Sequence, residues 1–476
     1  ASALYRGLTD LYNSVIPIGM TTTAPSPAPN PSGANPYLAG NYAPVPDEIS
    51  ATELPTRGRL PEALTGRYFR TGPNPHGTPA EPYHWFMGEG MIHGVRIRDG
   101  RAEWYRNRWV RTDPVSDALG EPHRPGPAQP MYDMSNTNVL GFGDRILSLT
   151  EGAYPYELTP DLDTVRRFGT QGALPHGMTA HPKVDPRTHE LVGFSYWWEE
   201  PYLYFHVVDA SGAVTRSVPI DLPRPVSMHD FAITEHYALF FDQPYVFDLE
   251  VAAAQAFPFR WRGDLPARVG VLPRDGDSAD IRWFDTETCY CFHPMNAYEA
   301  DDGTLVVDIP KMADLAVGPA PVPSKLTLER WTIDPAAGVV KPETLDDVPQ
   351  EFCRINESLI GTRHRFGYTI ATGMSEGESV YSNTKIFKRD FAKGTREDHD
   401  FGAGRHAGEF VFVADPERSG AEDGGWLMGL VHDDNTDGSE LVVLDAQGFA
   451  GDPVATVTLP RRVPYGFHGN WIADSI

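Results

Sequence analysis

Four histidines in short aromatic or proline-containing settings are spread across most of the chain. His181 lies in Ala-His-Pro-Lys, His229 in Met-His-Asp-Phe, His293 in Phe-His-Pro-Met-Asn-Ala and His468 in Gly-Phe-His-Gly-Asn-Trp. Successive members are 48, 64 and 175 residues apart, far too widely for a zinc finger or a ligand pair on one helix. Taken singly, each reads as a hydrogen-bonded core residue. Taken together, they can meet only if a large closed fold returns the chain to one point four times. Neutral imidazole is a common ligand for iron, zinc, copper or nickel. Four imidazoles around an octahedral ion leave two positions open, an arrangement suited to oxygen chemistry.

The turns say which closed fold. Beyond Tyr42, strand-like apolar runs alternate with Asp-led turns at 183–190, 208–213, 333–338, 414–420 and 444–448. An Asp side chain accepts hydrogen bonds from the turn it opens, while Gly or Pro supplies the required dihedral. Hairpins recurring over hundreds of residues suggest radially repeated four-stranded sheets, a β-propeller. The 45 Gly and 44 Pro argue against a helical bundle.

Composition removes several function classes. A formal charge of −25 disfavours nucleic-acid binding and adhesion to anionic lipid. No apolar run is long enough to span a bilayer. The three cysteines, Cys289, Cys291 and Cys353, make no disulfide framework and suit a reducing cytoplasm. Cys289 and Cys291 alternate within one expected strand. Residues 1–34 read as an N-terminal extension and Pro-rich linker. In it, Leu4, Leu8, Leu11 and Val15 approach helical spacing, and 21–34 are Pro-rich. Residues 35–476 read as one domain. No P-loop or dinucleotide fingerprint occurs.

The four histidine settings, in this order, resemble the iron motif of the carotenoid cleavage oxygenase family, and its bacterial type most. The resemblance runs from about Asn35 to Trp471. It includes Asn-Pro-Tyr-Leu-Ala-Gly-Asn-Tyr-Ala-Pro-Val (35–45), Arg-Thr-Gly-Pro-Asn-Pro (70–75) and Gly-Glu-Gly-Met-Ile-His-Gly (88–94). Further matches are Asn-Thr-Asn-Val (136–139), Arg-Trp-Phe-Asp (282–285) and Glu-Phe-Cys-Arg-Ile-Asn-Glu (351–357).

That resemblance implies an all-β, seven-bladed propeller with a helical or loop cap over the face that bears the metal. It implies Fe(II) as cofactor, held by His181, His229, His293 and His468. Glu151, Glu351 and Glu409 would orient His229, His293 and His468, leaving His181 without such a partner. Thr137 matches the residue whose methyl crowds one open iron position, and Phe292 matches a substrate contact. The family usually has Pro where this chain has Cys353, a change that restores a backbone N–H but leaves Glu351 in place.

The implied reaction adds both atoms of O₂ across one C=C bond of an apolar polyene, a carotenoid or apocarotenoid, to give two carbonyl products. A similar branch cleaves stilbenoids and carries Lys before its first orienting Glu. Here that position is Thr150, which favours the polyene. The competing readings are a stilbenoid or phenylpropene cleaver on the same site and a catalytically silent lipid-binding propeller. Leu249–Trp261 reads as a helix-like cap insertion, with Phe257, Phe259 and Trp261 packing the cap onto the barrel, at a tunnel mouth or against lipid. Peripheral membrane contact would use that apolar cap, and no obligate protein partner is implied.

Overall fold

The computed structural model describes residues 35–474 apart from 80–82, 130–132, 170–173, 255–256, 316–323 and 374–383. The N-terminal extension and Pro-rich linker read at 1–34 lie outside the described residues. Seven antiparallel sheets of four or five strands surround one axis, and a two-stranded hairpin stands apart from them. In chain order, blades two to six run from Asn138–Phe142 to Thr164–Arg167, Lys183–Val184 to Val214–Ile220, Ala232–Ile233 to Arg282–Thr286, Asn296–Glu299 to Val339–Asp346, and Gln350–Arg354 to Thr395–Asp400. The first strand of each is innermost.

Closure uses both ends of the described chain. Gly469–Ala473 pairs with Gly66–Pro73 and becomes the innermost strand of blade one. Thr56–Gly58 pairs with Ala455–Thr458 and becomes the outer edge of blade seven, whose inner strand is Arg405–Ala414. The expected seven-bladed propeller is what forms.

Burial explains why the strands read as they do. Middle strands are covered by neighbouring blades on both faces, so Leu191–Tyr196 and Tyr237–Asp242 are almost continuously buried. Outer strands face water on one side, and Val214–Ile220 alternates accordingly. The Asp-led turns fall between paired strands as expected. Asp209 Oδ1 accepts from the backbone N–H of Ser211 (2.9 Å) and Ala213 (3.0 Å), closing one of them.

Two expectations change in detail. Cys289 and Cys291 belong to no strand. Both pack into the core cluster that spans blades four and five, while the intervening Tyr290 packs elsewhere and bridges Met312. The alternation is real, but only Tyr290 finds a ladder partner. The cap, too, is less helical than expected. It consists of short 3₁₀ turns at Pro36–Leu38, Gly40–Tyr42 and Trp85–Met87, and of the hairpin Tyr245–Phe247/Phe259–Trp261, which encloses the short helix Leu249–Ala254.

Candidate metal centre

Each blade delivers one side chain to the axis from the start or middle of its inner strand. His468 and Thr137 immediately precede the inner strands of blades one and two, His181, His229 and His293 lie two or three residues before those of blades three to five, and Glu351 and Glu409 lie within those of blades six and seven. Both glutamates sit at register shifts, between Glu351 and Arg354 and between Ala407 and Phe410. A bulge re-aims a side chain without ending the strand. At the first, Phe352 adopts φ +54°, a left-handed conformation that an aromatic residue holds only when its surroundings impose it.

The four histidines present ring nitrogens within 4.8 Å of one another. His229 Nε2 is 3.1 Å from His181 Nε2 and 3.0 Å from His293 Nε2. Nitrogens about 2.1 Å from a shared ion stand about 3.0 Å apart at right angles and about 3.4 Å apart at the tetrahedral angle. The observed spacings match the right angle, as in an octahedral set. The donor set therefore fits a divalent transition metal held by four imidazoles with further positions open.

The other ring nitrogens explain the orientation. His293 Nδ1 is 2.5 Å from Glu351 Oε2, His468 Nδ1 is 3.0 Å from Glu409 Oε1, and His229 Nδ1 pairs with Glu151. All three pairings expected from the sequence are present. A carboxylate at Nδ1 fixes the tautomer and leaves Nε2 as the ligand atom. Burial, reinforced by the neighbouring histidines, holds His181 well below the usual imidazole range. Burial also lowers His468, to about 4, against the opposing pull of Glu409. Burial lowers His293 too, but Glu351 outweighs it and the net shift is upward. Glu409 falls to about 2: burial would raise it, and Arg354 and His468 overcome that.

Among the described residues His181 has no hydrogen-bonded carboxylate; Asp230 Oδ2 stands 4.0 Å from its Nδ1, beyond hydrogen-bond reach, and Lys183 in turn holds Asp230. Sequence reasoning passed over Asp230, Lys183, Tyr196 and Arg354. Asp230 and Lys183 were visible beside their histidines, in Met-His-Asp-Phe and Ala-His-Pro-Lys. Tyr196 donates its hydroxyl to Glu151, and Arg354 lies 3.7 Å from Glu409.

Thr137 and Thr150 share one network. The Thr137 hydroxyl donates to Asn136 Oδ1 at 2.9 Å, and Thr150 Oγ1 lies 3.3 Å from both. Asn136 is itself fixed by the carbonyls of Phe86 and Gly88. With its hydroxyl so engaged, Thr137 has its methyl left for the cavity it lines. Cys353 is buried, which pushes its thiol well above the usual range, with Glu351 adding to the shift. A neutral buried thiol is unreactive.

A cavity runs from the histidines to the cap, walled largely by aromatic rings from Tyr37, Trp85, Trp197, Phe257, Phe259 and Phe467 among others. No Lys or Arg is among its described lining residues, and its only carboxylates, Glu151 and Glu351, hold histidines. Phe292 lines it with its ring centroid 5.2 Å from that of His229. Phe257 stacks on His84 at 5.5 Å. Trp261 instead packs with Tyr245, Tyr290 and Met312 behind the wall.

Residues 42–473 match the model of the retinal pigment epithelial membrane protein family. The carotenoid cleavage oxygenase of Mycobacterium tuberculosis is 41% identical, covering 92% of this chain and 97% of its own. The carotenoid 9,10(9′,10′)-cleavage dioxygenase of Crocus sativus is 35% identical, covering 92% and 89%. Among solved structures, the lignostilbene dioxygenase of Pseudomonas brassicacearum superposes with a TM-score of 0.83 at 26% identity, covering 95% of this chain and 100% of its own. A variant of the Synechocystis apocarotenoid oxygenase gives 0.80 at 28% identity, covering 91% and 98%. With its seven-bladed ring, its four converging histidines and these relatives, the chain belongs to the carotenoid cleavage oxygenase family.

Proposed function

We propose that this chain is a non-haem Fe(II) dioxygenase that cleaves one conjugated C=C bond of a carotenoid or apocarotenoid with O₂, giving two carbonyl products. One observation carries the substrate class: an aromatic cavity with no Lys or Arg among its described lining residues ends at His229, His293 and His468. Such a wall binds a polyene by burying apolar surface and offers nothing to a charged ligand. The iron, held by His181, His229, His293 and His468, supplies the dioxygen chemistry. Glu151, Glu351 and Glu409 keep three of those rings oriented. The Thr137 methyl narrows access on its side of the centre, and Phe292 positions the polyene over His229. Both oxygen atoms end in the products, so no reducing cosubstrate is needed and no side chain has to move a proton. The protein's work is placement and exclusion of water.

Stilbenoid cleavage is the second reading, favoured by the superposition on the lignostilbene dioxygenase. Against it, Thr150 is no lysine, and its hydroxyl is already engaged by Asn136 and Thr137. The silent lipid-binding reading has to explain why a complete metal-ligand set is retained. Residues 35–476 would act as one catalytic domain, in a reducing compartment, drawing substrate from a membrane through the apolar cap. No helix among the described residues is long and apolar enough to cross a membrane.

The deciding experiment is aerobic incubation of iron-loaded protein with a panel of carotenoids, apocarotenoids and hydroxystilbenes, with carbonyl products identified by mass spectrometry. Cleavage of a polyene is expected. A preference for a stilbenoid of about tenfold or more in kcat/KM, about 1.4 kcal/mol, moves the chain to the second reading.

A further inference from the structure

Two cations beside the metal centre determine how much negative charge surrounds it. Lys183 Nζ is 2.8 Å from Asp230 Oδ1 and 3.1 Å from Oδ2, and Asp230 faces His181. Arg354 Nε is 3.7 Å from Glu409 Oε1, and Glu409 holds His468; Arg354 Nη2 also meets Glu357 at 3.3 Å, but that side chain is half exposed and its charge is solvated. Asp230 and Glu409 are 5% and 3% exposed, so neither charge is offset by water. Glu151 and Glu351 differ. Among the described residues neither pairs with a Lys or Arg; besides their histidines, they accept from the Tyr196 hydroxyl and the Phe352 backbone N–H respectively.

Among the described residues, the four carboxylates that face the histidines and the two cations beside them therefore leave two uncompensated negative charges around four imidazoles, those of Glu151 and Glu351. A dipositive ion makes the buried assembly neutral. A tripositive ion leaves one unbalanced positive charge there, and an unpaired charge in a low-dielectric interior is costly. We propose that Lys183 and Arg354 set the preference of this site for ferrous over ferric iron, each by cancelling one carboxylate without touching metal or substrate. Both are tuning residues, acting through Asp230 and Glu409. The inference rests on the iron reading above.

The signs follow from the count. Removing the Lys183 charge leaves three negative charges, which suits a tripositive ion and lowers the midpoint potential. Removing the Asp230 charge leaves one, and the potential rises. Removing both restores the balance. Arg354 also donates to the carbonyl of Gly469, so its loss mixes charge with strand anchoring, and Lys183 gives the cleaner test.

The full chain is loaded with ferrous iron and equilibrated with mediators that exchange one electron per iron. The ferric fraction is then read by electron paramagnetic resonance at poised potentials. Lys183→Met should raise the ferric-to-ferrous ratio at fixed potential at least tenfold, a fall in midpoint of about 59 mV for a one-electron couple. Asp230→Asn should shift it the other way, and the double variant should return to within about twofold of the parent. If Lys183→Met fails to fold or to load iron, Lys183→Gln keeps a hydrogen bond to Asp230 and must show the same fall. An unchanged midpoint in a folded, loaded Lys183 variant overturns the proposal, as does a double variant that stays shifted like Lys183→Met. A parent chain that holds no iron overturns the iron reading itself, and this inference with it.

Discussion

The two ends of the cavity are built by opposite means. At the axis, each of the seven blades places one polar side chain on or just before its inner strand, and each of those side chains has a named polar partner. At the cap, turns and a hairpin place aromatic rings that touch through edges and faces, such as Phe86 against Phe257 with centroids 5.2 Å apart. Hydrogen bonds have narrow geometry and fix a site to a fraction of an ångström. Aromatic contacts tolerate several arrangements at similar energy. The axis is therefore the part that should be intolerant of change, and the cap the part that can be retuned for a different ligand.

The largest expected effect breaks the axis outright. His293→Ala should abolish turnover and release iron, measured as metal per chain after gel filtration, while the circular dichroism of the propeller is retained. Full activity in that variant would remove the basis for calling this end the metal centre.

Next come the carboxylates behind the rings. Glu351→Gln should lower iron affinity or rate by about 10–100-fold, the usual loss for an outer partner of a ligand histidine. Glu151→Gln should cost less, because the Glu151 side chain is 21% exposed against 5% for Glu351 and water can replace part of the contact. A competition assay with a chromogenic chelator ranks the two, and the reverse order would show that burial does not govern the effect.

Smaller shifts are expected where the axis meets the cap. Phe292→Ala should raise KM for a polyene more than it lowers kcat, since it removes wall rather than ligand. Thr150→Lys should narrow the gap between polyene and hydroxystilbene, by bringing a cationic donor beside Glu151. Steady-state kinetics on both substrate classes measures each change. The smallest effect belongs to the cap surface. Replacing neutral by anionic lipid in substrate-bearing vesicles should leave the rate nearly unchanged, because a chain of net charge −25 has no general attraction to it.

The same contrast governs what could be read from the sequence. Asp-led turns are local, and each announces its own hairpin, so the radial repetition was legible without any knowledge of which strands pair. The four histidines and three glutamates were legible through the family resemblance, which short contiguous motifs carry; alone, each glutamate reads as a surface residue. Asp230 was not singled out, because its contact with His181 joins blade three to blade four and exists only once both are docked. The share of Thr150 in fixing Thr137 was hidden for a similar reason: it depends on Asn136 Oδ1 accepting from both hydroxyls. The cap resisted most. An aromatic residue near a loop looks the same whether it lines a cavity, as Phe257 does, or packs behind it, as Trp261 does.

The closure of blade one by Gly469–Ala473 bears on how the centre matures. His468 precedes that strand, so three ligands lie on blades three to five while the fourth arrives only when the ring is shut. A ribosome emitting this chain would release the first three long before the last. Capture by all four histidines therefore requires ring closure, and a metal held that way would stabilise the closed ring over the open one by mass action. Iron would then serve as a clasp on the circle of blades, and starvation for it should show first as fraying of the seam between blades one and seven.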